Sequence, residues 1–268
     1  MLIVSELAVY PVKSCRQLTA TNWTVDSFGL TGDRRWMVID SNTGLFVSQR
    51  THPQMVKIVC VPTVSGLVLR HPEQGELAVS RPDQGGVCSA TVWSDTCGAR
   101  DAGDNAAQWC SEVIGKSCRL VFMPDTSFRQ VDRRYAKEGI RASFADGFPF
   151  LLISEASLEL LNTKLAENGE DSVPMKRFRP NIVVKGCEPH AEDQWNRIRI
   201  GGIEFSGVKD CTRCVMTTVN TDTAEKNKEP LRTLAQYRRN DKGVIFGQNM
   251  IHHGTGLLSV GMQVEVLD

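Results

Sequence analysis

Two closely spaced cysteines, Cys211 and Cys214, form the group in this sequence with the clearest chemical potential. Arg213 lies between them, and Lys209 stands just before them. Cations next to a thiol favour the thiolate, which serves as a nucleophile, a redox group or a ligand for a soft metal. The sequence therefore predicts that this pair carries chemistry, and the spacing alone does not say which kind.

Three interpretations of the pair compete. Dithiol redox chemistry places the first cysteine at a helix N-terminus, whereas the segment 215–219 (Val-Met-Thr-Thr-Val) favours a strand. A structural zinc site needs four ligands, so Cys187 with His190, or with the pair His252 and His253, would have to complete it. In the third interpretation the two thiols are small buried residues without reactivity.

The composition is that of an ordinary globular chain with no preference for a charged partner. Of the 268 residues 41% are hydrophobic and 23% are charged, which suffices for one large or two small cores. Lys plus Arg and Asp plus Glu balance at 31 each, which argues against nucleic acid or an anionic membrane as partner. No apolar run reaches the ~20 residues of a membrane span, and no secretion signal is evident. We therefore expect a cytoplasmic protein whose nine cysteines are reduced.

Short segments rich in β-branched and aromatic residues, separated by Gly, Pro or Asp, predict a mostly β protein. The expected strands are 2–9, 35–40, 55–61, 67–71 and 87–93. Two glycines at 201–202 predict a hairpin turn between strands 197–200 and 203–205. Alternation of apolar and polar residues over 262–266 predicts a half-buried terminal strand.

Two helices are expected among these strands. Asp104 can cap a helix over 105–114, which has one apolar face and which Gly115 can end. Ser154 can cap a second helix over 155–166, with leucines along one stripe. Helices are therefore a minor part of the predicted fold.

The polar, basic stretch 124–142 is typical of a domain junction. We therefore predict an N-terminal domain over residues 1–123 and a C-terminal domain over residues 124–268. Because many short strands accompany few helices, the predicted fold class is mostly β with some helix (α+β), built from β-barrels.

Four clusters place a cation beside a turn or at the entry to a strand. They are 10–14 (Tyr-Pro-Val-Lys-Ser), 32–36 (Gly-Asp-Arg-Arg-Trp), 177–181 (Arg-Phe-Arg-Pro-Asn) and Arg213. Arginine binds phosphate through two parallel hydrogen bonds, and lysine acts as a point charge. Each cation alone is usually solvated. Brought together by folding, the four would hold a phosphorylated ligand beside a thiolate, but spacing alone does not show that they converge.

Segments from these clusters, together with others in the same order, resemble one family. The segments are 10–15 (Tyr-Pro-Val-Lys-Ser-Cys), 178–184 (Phe-Arg-Pro-Asn-Ile-Val-Val), 211–219 (Cys-Thr-Arg-Cys-Val-Met-Thr-Thr-Val) and 246–249 (Phe-Gly-Gln-Asn). The chain resembles the MOSC family, and within it the branch that contains the mitochondrial amidoxime-reducing component and its bacterial relatives. The resemblance covers essentially the whole chain and implies an N-terminal MOSC β-barrel domain followed by a MOSC β-barrel domain with the cofactor cysteine.

The resemblance assigns roles to individual residues. Cys214 is implied to be the protein ligand of molybdenum, for which a soft thiolate is suited, and Cys211 a neighbour of that ligand. Gly147 and Phe148 fall where vertebrate relatives carry hydroxyls, so they can offer backbone contacts only, and Asn249 falls where those relatives have a tyrosine. The residues implied to hold the pterin and its phosphate are Lys13, Ser14, Arg34, Arg179, Asn181, Thr212 and Arg213.

The implied activity is that of an oxidoreductase with a molybdenum–molybdopterin cofactor, which reduces N-hydroxylated compounds such as hydroxylamines, amidoximes and N-hydroxy bases. The sequence has neither ferredoxin cysteine spacing nor a dinucleotide fingerprint, so a separate iron–sulfur or flavin protein is expected to donate electrons. Pyridoxal phosphate is not expected. No strong general acid is evident; Asp33 and Asp210 are candidates by type, but an exposed surface role is expected for each. The alternative function is a carrier that holds the cofactor, or a persulfide sulfur on Cys214, without turning over a substrate.

Overall fold

A computed structural model describes all 268 residues and shows a mostly β chain with three helices, which confirms the predicted fold class. The strands are β1 (Ile3–Val9), β2 (Leu18–Ala20), β3 (Asn22–Asp26), β4 (Gly29–Leu30), β5 (Trp36–Asp40), β6 (Val59–Thr63), β7 (Gly66–His71), β8 (Gly75–Ser80), β9 (Val87–Val92), β10 (Asp95–Asp101), β11 (Cys118–Phe122), β12 (Phe150–Ser154), β13 (Ile182–Lys185), β14 (Arg197–Ile200), β15 (Ile203–Thr212), β16 (Arg239–Asn240), β17 (Gly243–His252), β18 (Gly256–Ser259) and β19 (Val264–Val266). The helices are α1 (Asp104–Ile114), α2 (Glu155–Glu167) and α3 (Leu231–Tyr237), with 3₁₀-helices at Pro53–Lys57, Met175–Arg177, Ala191–Gln194 and Val215–Thr218.

A nine-stranded sheet forms the larger part of the molecule. Its strands run in the order β19-β14-β15-β17-β12-β13-β1-β2, and β16 pairs with β17. The long strands β15 and β17 are antiparallel neighbours, and β12 and β13 are parallel. The first strand of the chain, β1, pairs with β13, and β3 pairs with β18. The division at residue 123 stays a prediction, and the hydrogen-bonded sheets cross it.

Smaller sheets make up the rest of the fold. One has the order β5-β11-β10-β9 and another the order β6-β7-β8. Helix α1 packs its buried face, which includes Trp109 and Cys110, against a core shared with β5, β7 and β11. The large sheet has a separate core around Phe150 and Phe205. None of the helices is long and apolar enough to cross a bilayer.

Several local predictions hold because short-range chemistry decides them. The Ser154 hydroxyl accepts the Ser157 N–H at 3.1 Å and so caps α2 as expected. Gly115 ends α1 in the left-handed conformation. The predicted cap of α1 is wrong, because Asp104 is the first helical residue and its carboxylate accepts a hydrogen bond from Arg119.

Two predicted strands are wrong in part. The segment 55–61 begins inside the 3₁₀-helix Pro53–Lys57, where proline presets a helical φ, and becomes extended only at β6. The segment 215–219 forms the 3₁₀-helix Val215–Thr218 instead of a strand. The hydroxyls of Thr217 and Thr218 donate to the carbonyls of Cys214 and Val215 at 3.0 and 2.8 Å, which favours the turn over extended backbone.

Candidate functional site

One cavity of about 550 Å³ collects every residue that the sequence singled out for the site. The segments that reach the cavity come from both halves of the chain, and each of the four cation clusters contributes a side chain to it. Which role each residue plays stays a prediction, but their convergence is a property of the fold. The eleven residues are Lys13, Ser14, Arg34, Gly147, Phe148, Arg179, Asn181, Thr212, Arg213, Cys214 and Asn249.

Neighbouring strands of the large sheet deliver these residues except Arg34, which lies between β4 and β5 of two smaller sheets. Lys13 and Ser14 follow β1, and Arg179 precedes β13, which pairs with β1. Thr212 ends β15, and Asn249 lies within β17, the neighbour of β15. Because these strands share one sheet, residues that are up to 236 positions apart in sequence line the same cavity.

Positive charge dominates the wall of the cavity. Asp146 is the single carboxylate among the lining residues. The chain as a whole carries no net charge, so the cations are concentrated here. Such a wall attracts anions and binds phosphate well. The eight lining cations are Lys13, Arg34, Arg50, Arg177, Arg179, Lys209, Arg213 and Lys242.

Asn181, which the sequence predicted to hold the cofactor, makes three hydrogen bonds within the protein. Its side-chain oxygen accepts hydrogen bonds from Arg34 Nη1 at 3.1 Å and from the Leu151 N–H at 3.3 Å. Its side-chain nitrogen donates to the Ala8 carbonyl at 3.2 Å. Asn181 therefore holds Arg34 in place and ties three chain segments together beside the cavity.

Asp33 has a structural role that the sequence did not reveal. Its side chain is only 2% exposed, so the expected surface role is wrong. One oxygen accepts the Tyr10 N–H at 2.8 Å, and the other accepts Arg34 Nη1 at 2.5 Å. Asp210 lies on β15 and is partly buried. Neither carboxylate lines the cavity, whereas Asp146 does.

The buried ring of Tyr10 carries two guanidinium groups. The Cζ atom of Arg34 lies 4.3 Å from the ring centroid, and that of Arg179 lies 4.1 Å from it. The Tyr10 hydroxyl donates to the Pro180 carbonyl at 3.0 Å. Burial lowers the pKa of Arg179 to about 10, an effect that Tyr10 opposes and Arg34 reinforces. Tyr10 was missed as a site residue, although it stands inside the motif that contains Lys13.

Three lining arginines keep buried donors without a partner in the protein. Arg179 donates through Nη1 to the Cys15 carbonyl at 2.7 Å, but its Nη2 has no acceptor. Arg213 Nε and Arg50 Nη1 are buried and unpaired as well. Buried donors are nearly always satisfied, so unpaired ones point to a missing ligand. The oxygens of a phosphate would satisfy these donors, so the cavity fits a phosphorylated ligand.

Backbone strain concentrates around the same cavity. Six residues other than glycine have positive φ, and four of them line it. These are Ser14 (67°), Arg34 (49°), Trp93 (57°) and Arg179 (59°). Such conformations are costly and cluster at functional sites, where the surrounding structure enforces them. The fold thus holds these residues in strained backbone conformations.

Lys13 and Asp146 form a pair in the cavity wall. The Lys13 ammonium, only 5% exposed, donates to the Phe144 carbonyl at 2.7 Å and to Asp146. Burial lowers the pKa of Lys13 to about 8, and Asp146 opposes that shift. Partial desolvation in the cavity opposes ionisation of Asp146, whose side chain is 55% exposed, but Lys13 and Arg50 together hold the pKa of that carboxyl well below its usual range.

The two thiols occupy different surroundings. Arg213 donates through Nη1 to Cys211 Sγ at 2.8 Å and through Nη2 to the Phe178 carbonyl at 2.6 Å. The cation between the cysteines therefore contacts Cys211. Cys214 is partly exposed and directly precedes the 3₁₀-helix Val215–Thr218. A thioredoxin-like arrangement would place the first cysteine before a helix, but here the second one precedes a single short turn.

The zinc interpretation finds no ligand set in the structure. No group of three or more His, Cys, Asp or Glu side chains is placed to hold a metal ion. The thiol pair therefore does not form a four-ligand site with Cys187 and the histidines at positions 190, 252 and 253. All nine cysteines are free.

Comparison with known proteins gives two family matches. Residues 1–117 match the MOSC N-terminal beta barrel domain, and residues 140–265 match the MOSC domain. Mitochondrial amidoxime-reducing component 1 of Mus musculus is 36% identical over 98% of this chain and 82% of its own length, and that of Homo sapiens 34% over the same shares. Molybdenum cofactor sulfurase of Danio rerio is 32% identical over 97% of this chain, which spans 34% of that protein. The family is thereby associated with the molybdenum cofactor. The chain belongs to the MOSC family and consists of a MOSC N-terminal beta barrel domain followed by a MOSC domain.

Proposed function

We propose that this protein is a molybdenum-cofactor-dependent reductase of N-hydroxylated compounds. The observation that carries the proposal is the cavity, where eight cations, three unpaired arginine donors and the partly exposed thiol of Cys214 come together. The names of the relatives, an amidoxime-reducing component and a molybdenum cofactor sulfurase, support the same reading.

The residues present fit the two chemical demands of a molybdopterin cofactor. Its phosphate needs charged donors, which Arg179, Arg213 and Lys13 would supply from the wall. Its metal prefers a soft ligand, which Cys214 would supply. Once bound, the cofactor would provide the two-electron chemistry that the side chains lack.

The remaining site residues hold these groups in position. Arg34 donates through Nη2 to the Arg179 carbonyl at 3.3 Å, so it fixes the backbone from which Arg179 extends. Asp146 lies against Lys13 and helps to keep it protonated at neutral pH, because the pKa of that ammonium is about 8. Buried Arg129 donates to the carbonyls of Ser143 and Ala145 at 2.8 and 2.6 Å and so fixes the loop that carries Asp146.

Electrons would come from a separate iron–sulfur or flavin protein, since the chain has no ferredoxin cysteine spacing and no dinucleotide fingerprint. We also propose a cytoplasmic location, in which the nine free cysteines stay reduced. The purified protein should fail to reduce a hydroxylamine or an amidoxime with NADH alone. A viologen radical, which is small enough to reach the cavity directly, should support turnover.

The deciding experiment uses protein made in a host that synthesises molybdopterin. We expect molybdenum and pterin near one equivalent per chain, and viologen-driven reduction of benzamidoxime or hydroxylamine. Metal-free protein with a persulfide on Cys214 would favour the carrier instead. Cofactor-loaded protein that reduces none of these compounds would contradict the proposed reaction but leave the cofactor site standing.

A further inference from the structure

Trp93 occupies a backbone position that its own side chain disfavours. Strands β9 and β10 pair Val92 with Asp95, so Trp93 and Ser94 form a two-residue hairpin loop. The φ of Trp93 is +57°. Positive φ at the first central position of a two-residue hairpin turn is the usual place of glycine. A bulky residue in this conformation is a genuine outlier.

The indole ring is held firmly in spite of that strain. The Arg50 guanidinium carbon lies 4.4 Å from the ring centroid, and the Phe46 ring lies 5.0 Å away in an edge-on arrangement. The indole N–H donates to Asp146 Oδ1 at 3.3 Å. Asp146 is in turn bound by Lys13. The ring is therefore fixed relative to the charged pair in the cavity wall.

This fixed ring is nevertheless half exposed. Trp93 lines the cavity and keeps 50% of its surface accessible, so it lies at the rim. Neither the turn geometry nor core packing explains why a tryptophan stands at this position. Glycine suits the turn better, and an exposed ring adds little to packing. Conformational outliers that the surrounding structure enforces are typical of sites that bind or react.

The cations of the wall restrict what can lie against this ring. A protonated amine at the ring would lie beside the Arg50 guanidinium, and the one carboxylate nearby is already engaged by Lys13 and Arg50. An uncharged ligand does not meet that repulsion. A flat aromatic or heteroaromatic ring also gains stacking energy on an indole, whereas a small non-planar molecule gains almost none.

We propose that Trp93 is a stacking platform at the cavity rim that selects uncharged, planar N-hydroxylated aromatic and heteroaromatic compounds over small hydroxylamines. The proposal rests on the reductase function proposed above and adds the class of substrate. In this arrangement the ring of the substrate lies on the indole at the rim, and its N-hydroxyl group extends into the cavity.

The first test compares Trp93→Gly and Trp93→Phe with wild type, using viologen-driven turnover of benzamidoxime and of hydroxylamine. Trp93→Gly should raise the KM for benzamidoxime about tenfold, in line with the loss of one stacked ring, and change the KM for hydroxylamine much less, so that the ratio of the two KM values shifts. Trp93→Phe should lie close to wild type. Because glycine relieves the strained φ, the unfolding midpoint of Trp93→Gly should stay level or rise, and its pterin content should not change.

Three results would overturn the platform. A clear fall in the unfolding midpoint of Trp93→Gly would show that the ring is structural. A fall in pterin content would place the cofactor, not the substrate, on the ring. Equal KM values for benzamidoxime in wild type and Trp93→Gly would show that the ring does not contact substrate.

A second measurement separates this proposal from the reductase function itself. Equilibrium binding of benzamidoxime to the full chain can be measured by calorimetry whether or not turnover occurs. Binding that weakens about tenfold in Trp93→Gly supports the platform even when reduction is absent. Binding that is absent, or equal in the two proteins, overturns the platform even when reduction is present.

Discussion

The two walls of the cavity differ in how deeply their residues are buried. On the wall that follows β1, Lys13 and Ser14 are 5% and 3% exposed. On the wall formed by the thiol segment, no residue from Cys211 to Met216 is buried. A buried, pre-ordered wall suits a ligand that stays bound, whereas an open wall leaves room for exchange. One cavity thus combines a buried, cationic wall with an open wall that carries the thiols.

The largest effect is expected on the open wall. Cys214→Ser should abolish activity while the fold survives, because serine is a harder and far less acidic donor and the metal loses its soft ligand. Cys211→Ser should keep measurable activity, although it removes the sulfur that Arg213 contacts. Metal analysis and viologen-driven turnover check both variants. Equal and total loss in the two would revive a dithiol mechanism, provided that both proteins fold.

The next effect is expected where arginines reach the cavity. Arg34→Ala, Arg179→Ala and Arg213→Ala should each weaken cofactor retention by about 1.5–3 kcal/mol, the value of one charge-assisted contact. We expect Arg179 and Arg213, which keep unpaired donors, to matter more than Arg34, which Asp33 engages. Pterin content after purification is the measurement.

The control for the arginines is Arg133→Ala, because Arg133 is 70% exposed and pairs only with Glu138. Its pterin content should match wild type. Full cofactor occupancy in all three cavity variants would contradict the anion site.

A smaller effect is expected behind the buried wall. Tyr10→Leu removes the ring that lies beneath the Arg34 and Arg179 guanidinium groups, and should weaken sulfate binding by about 0.5–2 kcal/mol. Tyr10→Phe keeps the ring and should restore most of the affinity. Phe205→Leu, which removes a fully buried ring elsewhere, serves as the matched control for lost packing. Equal sulfate affinity in Tyr10→Leu and wild type would mean that the ring does not position the arginines.

The smallest effect is expected from pH. Because the pKa of Lys13 is lowered to about 8, this side chain loses its charge as the pH rises through that value. Sulfate keeps its charge over this range, so its affinity should fall by a few-fold between about pH 7 and pH 9.5. Lys13→Arg stays protonated and should flatten the profile. A wild-type profile without any step near pH 8 would contradict the lowered pKa.

Sequence reasoning succeeded where neighbouring residues decide the structure. The cap at Ser154 and the hairpin turn at Gly201 and Gly202 depend on local chemistry, and both are present. The strand predicted at 215–219 was wrong because β propensity does not account for the hydroxyls of Thr217 and Thr218. These hydroxyls donate hydrogen bonds to preceding backbone carbonyls. Local sequence signals thus predicted a helix cap and a hairpin turn, but not a segment in which side-chain hydroxyls bond to backbone carbonyls.

The site was harder to predict, since it depends on pairing between distant strands. The family resemblance supplied eleven positions, and the pairing of β1 with β13 explains how two of the cation clusters meet. Asp146 and Trp93 carry no signal in their own neighbourhood, because their importance follows from contacts with Lys13 and Arg50. Tyr10 could have been found, as an aromatic residue beside a cation motif.

The pairing of distant strands also has a consequence for synthesis on the ribosome. Lys13 leaves the ribosome early, but β15 and β17 complete the opposite wall only after about nine-tenths of the chain has been translated. Until then the buried cations of the first segment have no finished cavity around them. A nascent chain therefore lacks the closed cavity, so an anionic ligand bound there would have to enter after β17 has paired with β15.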